Sequence, residues 1–158
     1  MKRLPDWPLE LKALATAALM YLGIAVLMAF AYIVVSHAGA KSSYWIGPTE
    51  IAELYTGPGV GTTTLISLAH IHLLGMFSVF TIIGFIFLHS TLPVGWRIFW
   101  SVLPYLAFIC DVTSWFLIQP VAFGFVYVVI IGGATFITSI AVMILVSLYQ
   151  LWLVPKSK

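Results

Sequence analysis

Two histidines lie inside a segment that is long and apolar enough to cross a bilayer. The segment covers residues 65–88 (LISLAHIHLLGMFSVFTIIGFIFL), and its first half contains His70 and His72. An imidazole inside hydrocarbon is costly unless something binds it or hydrogen-bonds to it, so an intramembrane histidine indicates a functional site. Any function assigned to this chain therefore has to explain the pair.

Two further ionisable residues are expected at a similar depth. Asp111 is the only acidic residue inside a predicted span, and His37 ends the first span. A helical rise of ~1.5 Å per residue places His70 and Asp111 each ~12 Å below the outer ends of their helices. We therefore expect four ionisable groups from three helices to lie in the outer half of one small bundle.

The spacing of the two histidines makes their side chains point in different directions. Residues two apart on a helix differ by ~200° of rotation, so His70 and His72 do not both face one ligand. The sequence leaves open which of them faces the interior. Gly75 and Met76 follow His72 at i+3 and i+4. A glycine beside a histidine lets a flat macrocycle approach the backbone closely.

Histidines on the facing helices of a four-helix bundle are typical of haem and metal sites. One arrangement is ligation of haem b by His37 together with His70 or His72. A second pairs one histidine with Met76 or with a histidine of another chain, while Asp111 holds the free imidazole N–H. A third arrangement needs no haem, because His70, His72 and Asp111 bind copper, iron or zinc directly. The ordinary alternative is structural hydrogen bonding between helices, or proton handling.

The elements that position these residues are four predicted membrane spans. The chain has 158 residues, of which 62% are hydrophobic and 8% charged, and its mean hydropathy is +1.11. The spans cover about residues 11–37, 63–90, 95–119 and 122–153, each near or above the ~20 residues that cross a bilayer. We predict an all-α integral membrane protein with one domain (residues 1–158), an up-down bundle of four transmembrane helices.

The only long connection, between the first two spans, contains a predicted short helix. Residues 48–55 (PTEIAELY) begin with proline, which is favoured in the first turn of a helix. Ile51, Leu54 and Tyr55 follow one another at i, i+3 and i+4, a spacing that suits a helix lying on the membrane surface. We therefore predict an interfacial helix in the first outer loop.

A run of small residues, Gly132, Gly133 and Ala134, interrupts the fourth span. Small residues let transmembrane helices approach closely. We expect this surface to face the second span or another subunit.

The basic residues indicate the orientation of the bundle. One side of the four-span arrangement carries Lys2, Arg3, Lys12, Arg97, Lys156 and Lys158, and only Lys41 lies on the other side. The positive-inside rule then places both termini in the cytoplasm, and we expect a bacterial-type inner membrane. Because these charges lie at span ends and form no patch, no nucleic-acid partner is expected.

Residues 69–75 (AHIHLLG), with the Phe-rich stretch after them and Leu92-Pro93, resemble a motif of known membrane proteins. These are small proteins distantly related to the catalytic subunits of haem-copper oxidases. In them a similar string opens a helix associated with haem or metal ligation, which the resemblance carries over to His70, His72 and Gly75. The chain lacks the later histidines that hold copper and a second haem, so the resemblance does not imply oxygen reduction by this chain alone.

These patterns predict a membrane protein that binds haem b or a metal and transfers electrons within or beside a respiratory or other redox complex. It is expected to be an electron-transfer or accessory component rather than a stand-alone enzyme. The alternative is an accessory subunit without a cofactor that stabilises a larger membrane complex. Besides the lipid bilayer, the expected partners are further copies of this chain or the subunits of such a complex.

Overall fold

Four long helices and one short helix make up the fold. The computed structural model describes residues 2–41 and 46–156, without the side chains of residues 33, 34 and 36–41. In chain order the helices are α1 (Leu9–Lys41), α2 (Pro48–Thr56), α3 (Thr62–Phe87), α4 (Val94–Trp115) and α5 (Phe125–Trp152). Among these, α1, α3, α4 and α5 are each long and apolar enough to cross a membrane. The predicted all-α fold with four transmembrane helices is confirmed.

The α5 helix is the centre of the bundle, because α1, α2, α3 and α4 all pack against it. Phe80 of α3, Phe108 of α4 and Phe136 of α5 form an aromatic core with ring centroids 5.2 to 6.1 Å apart. Edge-to-face and tilted pairs of this kind add ~0.5–1.5 kcal/mol each to the energy of apolar burial. These contacts bind α3, α4 and α5 into a three-helix unit, against which α1 packs from the side.

A close helix contact joins α4 and α5 at Gly132. A Cβ atom at this position would lie 3.0 Å from the carbonyl oxygen of Ala107 and 3.0 Å from the Cβ of Asp111. Gly132 therefore faces the third span rather than the second, because the α4 backbone lies so close that a larger residue would have to displace its neighbours. Gly133 and Ala134 line a cavity described below, and a contact of this surface with another subunit stays a prediction.

Two other details differ from the sequence-based expectation. The third span ends at Trp115 rather than near residue 119, and the fourth begins at Phe125 rather than near residue 122. After Trp115 the chain forms turns. In them the N–H groups of Leu117 and Ile118 both donate hydrogen bonds to the carbonyl oxygen of Ser114. Pro120 has no N–H to continue a helix across this segment.

The short helix α2 is confirmed at nearly the predicted bounds, and its apolar residues contact the bundle. Ile51, Leu54 and Tyr55 face into the bundle and contribute to the wall of a cavity against α5. The i, i+3, i+4 pattern marks an apolar face in either case, and the bundle supplies the surface that covers it. The α2 helix is therefore a cap on one end of the bundle, called here the α2 end.

The opposite end of the bundle, called here the basic end, is closed by three basic side chains. They donate hydrogen bonds to carbonyls at the C-terminal ends of α3 and α5: Arg3 to Ser90 (2.9 Å), Lys12 to Leu151 (2.6 Å) and Arg97 to Leu88 (2.7 Å). The last carbonyls of a helix have no partner within it and carry the negative end of the helix dipole. Three of the basic residues that indicate the orientation thus also hydrogen-bond carbonyl groups near the C-terminal ends of two spans.

Candidate functional site

A cluster of four side chains from three helices lies at the α2 end, with Trp115 at its centre. The Tyr55 ring stacks on the indole at a centroid distance of 4.8 Å, and the His72 ring meets it edge-on at 5.6 Å. The indole N–H interacts with the carboxyl group of Asp111, although without the alignment of a full hydrogen bond. Tyr55, His72, Asp111 and Trp115 are called here the Trp115 cluster.

The helical period explains why two of the four residues of this cluster lie together. Asp111 and Trp115 are four residues apart on α4 and therefore share one face of that helix. Their side chains are only 5% and 3% exposed, respectively. The sequence analysis singled out Asp111 but missed Trp115, although its i+4 spacing from the only intramembrane acidic residue was visible. No sequence signal connects either residue to Tyr55, which comes from α2.

The ring of His72 has a fixed hydrogen-bonding arrangement. Its Nδ1 lies 2.8 Å from the carbonyl oxygen of Leu68, one turn earlier on α3. Because a carbonyl oxygen only accepts, Nδ1 donates this hydrogen bond, and Nε2 is the ring nitrogen that the bond leaves unused. The side chain is exposed rather than enclosed. His72 can therefore offer Nε2 to a metal or to a hydrogen-bond donor.

His70 lies on another side of α3, as its spacing from His72 requires. It is exposed, and so are its neighbours Ile66, Leu73, Leu74 and Phe77. An ionisable side chain in such an apolar face is unfavourable against lipid. His70 is therefore an exposed ionisable side chain in an otherwise apolar face of α3.

The remaining candidate residues divide between open and packed positions. A Cβ atom at Gly75 would meet nothing within 4 Å, so the surface of α3 is open there. Met76 is partly buried and packs against the core. The side chain of His37 lies outside the described part of the structure. The described candidate residues thus lie on different faces of the helices. Met76 lies one turn beyond His72 on α3.

The described residues of one chain do not form a metal site by themselves. Among residues 2–41 and 46–156, no three side chains of the His, Cys, Asp and Glu types come together around a possible ion. His72 and Asp111 both approach Trp115, whereas His70 is directed elsewhere. A site built from His70, His72 and Asp111 stays a prediction.

The electrostatic environment of Tyr55 follows from its burial between α2, to which it belongs, and Trp115 of α4. Burial raises the pKa of the Tyr55 hydroxyl above its ordinary value, and the neighbouring Asp111 carboxylate raises it further. A phenol in this environment stays neutral and can donate a hydrogen bond. Tyr55 and Asp111 therefore form a donor and an acceptor side by side in an otherwise apolar region.

A cavity of about 480 Å³ lies beneath α2, beside the Trp115 cluster. Among the described residues that line it, Asp111 and Tyr55 carry the polar groups. The apolar wall includes Phe30 of α1, Ile51 and Leu54 of α2, and Gly133, Ala134 and Ile137 of α5. Two lining residues, Phe30 and Ala134, are exposed, so the cavity is open rather than enclosed where α1 and α5 form its wall.

His89 at the basic end repeats the ring geometry of His72 without its accessibility. Its Nδ1 lies 2.9 Å from the carbonyl oxygen of Phe85. The side chain is only 9% exposed, and its ring packs edge-on against Trp7 at 5.0 Å. His89 is therefore a packed residue and provides a matched control for His72.

Comparison with known proteins identifies one feature of the chain. Residues 47–158 match Aq_1264_TM, a family described as a transmembrane helical domain. The matched residues begin just before α2 and include α3, α4 and α5, and α1 precedes them. No curated protein and no solved structure matches the chain. The match and the four apolar helices together establish a multi-pass membrane protein whose helices contact the lipid bilayer.

Proposed function

From the premise that the chain belongs to the Aq_1264_TM family of transmembrane helical domains, we propose that it binds haem b or a transition-metal ion through His72. In this proposal the bound group transfers electrons within or beside a membrane redox complex. The observation that supports it is the 2.8 Å contact between Nδ1 of His72 and the Leu68 carbonyl. Histidines that ligate metals commonly donate their other ring N–H to such an acceptor, which fixes the tautomer.

The residues present would supply one ligand to a haem iron. His72 would supply Nε2, the Leu68 carbonyl would hold its tautomer, and the edge of Trp115 restricts the ring. The second ligand would be His37 or a histidine of another copy, because Met76 lies one turn away on the same face of α3 and would reach the iron from the same side as His72. A bound haem supplies a one-electron redox couple, and its axial ligands tune the potential.

The metal alternative uses the same histidine. Copper, iron or zinc would bind Nε2 of His72, with further ligands from His70 or Asp111 of a neighbouring copy. The Trp115 indole contacts both His72 and Asp111 and thus limits how far these side chains can turn. This alternative would take its further ligands from a neighbouring copy, whereas haem ligation would take its second ligand from His37 or from another copy.

An accessory role in a larger complex is the second candidate function, and the surroundings of His70 favour it. His70 is exposed among apolar neighbours on α3. Covering it with another protein surface would give the imidazole a hydrogen-bond partner that lipid tails cannot offer. In this role the chain is a homo-oligomer or a subunit of a membrane redox complex and needs no cofactor of its own.

The proposed location is a bacterial-type inner membrane with both termini in the cytoplasm. Arg3, Lys12 and Arg97 all lie at the basic end of the bundle, which agrees with the positive-inside rule. In this orientation the Trp115 cluster lies in the outer half of the membrane. Electrons would then enter or leave at that side.

A titration of the purified full chain in detergent tests the function. Haemin, Cu²⁺, Fe²⁺ and Zn²⁺ are added separately, and binding is followed by absorption spectra and by the metal retained after gel filtration. We expect saturable binding of haemin or of one metal, which His72→Ala abolishes. The matched control His89→Phe keeps an aromatic ring against Trp7 and should bind normally.

The same titration distinguishes the two candidate functions. Loss of binding in His72→Ala with normal binding in His89→Phe supports ligation by His72. Equal binding in all variants would contradict it, because the group would then be held elsewhere. Absence of any saturable binding in the wild-type chain, together with recovery of intact partner subunits from native membranes, would favour the accessory role.

A further inference from the structure

The cavity beneath α2 has the composition of a site for a small amphipathic molecule. Its volume of about 480 Å³ falls in the ~300–1,000 Å³ range of ligand pockets, which are mostly apolar with a few convergent polar groups. Here Asp111 and Tyr55 are the polar groups among the described lining residues. The small residues Gly133 and Ala134 of α5 leave the space open, since larger side chains there would occupy it.

We propose that this cavity binds the ring of a membrane-soluble hydroquinone, with its apolar tail extending into the bilayer between α1 and α5. The tail path follows from the exposed positions of Phe30 and Ala134 at the side of the cavity. This inference goes beyond haem or metal binding and does not depend on it. Its site uses Asp111 and Tyr55, whereas the proposed ligand position uses Nε2 of His72.

The chemistry of the walls selects this class of ligand. A hydroquinone hydroxyl donates to the Asp111 carboxylate, and its ring oxygens accept from the Tyr55 hydroxyl, so both buried groups gain a partner. The carboxylate of a fatty acid would instead meet the Asp111 carboxylate at close range in an apolar site, which is unfavourable. A plain hydrocarbon would leave both polar groups without a partner in the cavity.

The test measures binding of tritiated decylubiquinol to the full chain in phospholipid nanodiscs, corrected for partitioning into empty nanodiscs. Gly133→Leu fills the cavity, and a side chain fits there because a Cβ atom at Gly133 would meet nothing within 4 Å. The matched control is Ala141→Leu, which adds a side chain of the same size to an exposed position ~12 Å further along α5. Helical content of each variant is checked by circular dichroism.

We expect saturable binding that weakens about tenfold or more in Gly133→Leu, a loss of at least ~1.4 kcal/mol, and is unchanged in Ala141→Leu. Asp111→Asn, which keeps the shape of the side chain, should weaken decylubiquinol more than decylubiquinone, because only the reduced ring donates to the carboxylate. The proposal is overturned by absence of saturable binding, by equal binding in Gly133→Leu and Ala141→Leu, or by equal affinity for decylbenzene. Unchanged binding in Asp111→Asn would also overturn it.

Because His72 is the proposed ligand of haem or metal and is not among the residues that line the cavity, the failures of the two proposals are distinguishable. Normal haemin or metal binding with no decylubiquinol binding would overturn this inference alone. Decylubiquinol binding that survives His72→Ala, in a chain that binds neither haem nor metal, would support the cavity and contradict the proposed ligation.

Discussion

Replacing Gly132 by alanine tests the close contact that places Asp111 against α5. The added Cβ would lie 3.0 Å from the Ala107 carbonyl oxygen and 3.0 Å from the Cβ of Asp111. Neither atom belongs to the end of a flexible side chain, so α4 and α5 must move apart. Overpacking of this kind costs ~1–3 kcal/mol, whereas replacing a helical glycine by alanine gains ~1 kcal/mol from helix propensity.

Gly133→Ala is the matched control for this prediction. A Cβ atom at Gly133 would meet nothing within 4 Å, so this variant has the propensity gain without the overpacking. The difference in unfolding free energy between the two variants therefore isolates the contact, and we expect Gly132→Ala to be the less stable by ~1–3 kcal/mol. The assay is reversible unfolding by SDS in mixed micelles, followed by circular dichroism. Equal stability of the two variants would refute the close approach of α4 and α5.

Three further measurements address other parts of the structure. Because the pKa of Tyr55 is raised in the folded state, the unfolded chain loses its phenolic proton first, and the free energy of unfolding should fall as pH rises above ~10. Tyr55→Phe should reduce that slope, and an unchanged slope would contradict the burial of the hydroxyl. Lys12→Met removes the bond to the Leu151 carbonyl and should lower stability by ~1 kcal/mol, whereas the exposed control Lys156→Met should be neutral; equal effects would contradict the role of Lys12 at the basic end. A spin label on Cys110, which is exposed on α4, should be relaxed more by oxygen than by a water-soluble nickel chelate, and the reverse order would exclude a lipid-facing position.

The spans could be predicted from the sequence because they depend on local composition. Apolar runs of bilayer length define α1, α3, α4 and α5 whatever they pack against. The proline at the start of α2 and the spacing of its apolar residues likewise predicted that helix. The pattern could not reveal which surface covers this apolar face. The periodicity of apolar residues is the same whether the face contacts lipid or the end of a helix bundle.

The candidate site was predictable only in part, for a related physical reason. Helix periodicity separates His70 from His72, and the structure places them on different sides of α3. Trp115 and Tyr55 reach His72 and Asp111 through contacts between helices, and these depend on how α2, α3 and α4 are rotated. The cavity is likewise a product of packing between four helices. Its one local signal is the pair Gly133 and Ala134, which leaves the space unfilled.

The most direct test of the central claim is the haem and metal content of the full chain as it is made in haem-sufficient cells. Reduced-minus-oxidised absorption spectra and elemental analysis are recorded on the same sample, for the wild type and for His72→Ala. The account predicts haem b or a stoichiometric transition metal in the wild type and its loss in the variant. A wild-type protein that contains neither, or a variant that retains the same content, would contradict the assignment of His72 as a ligand.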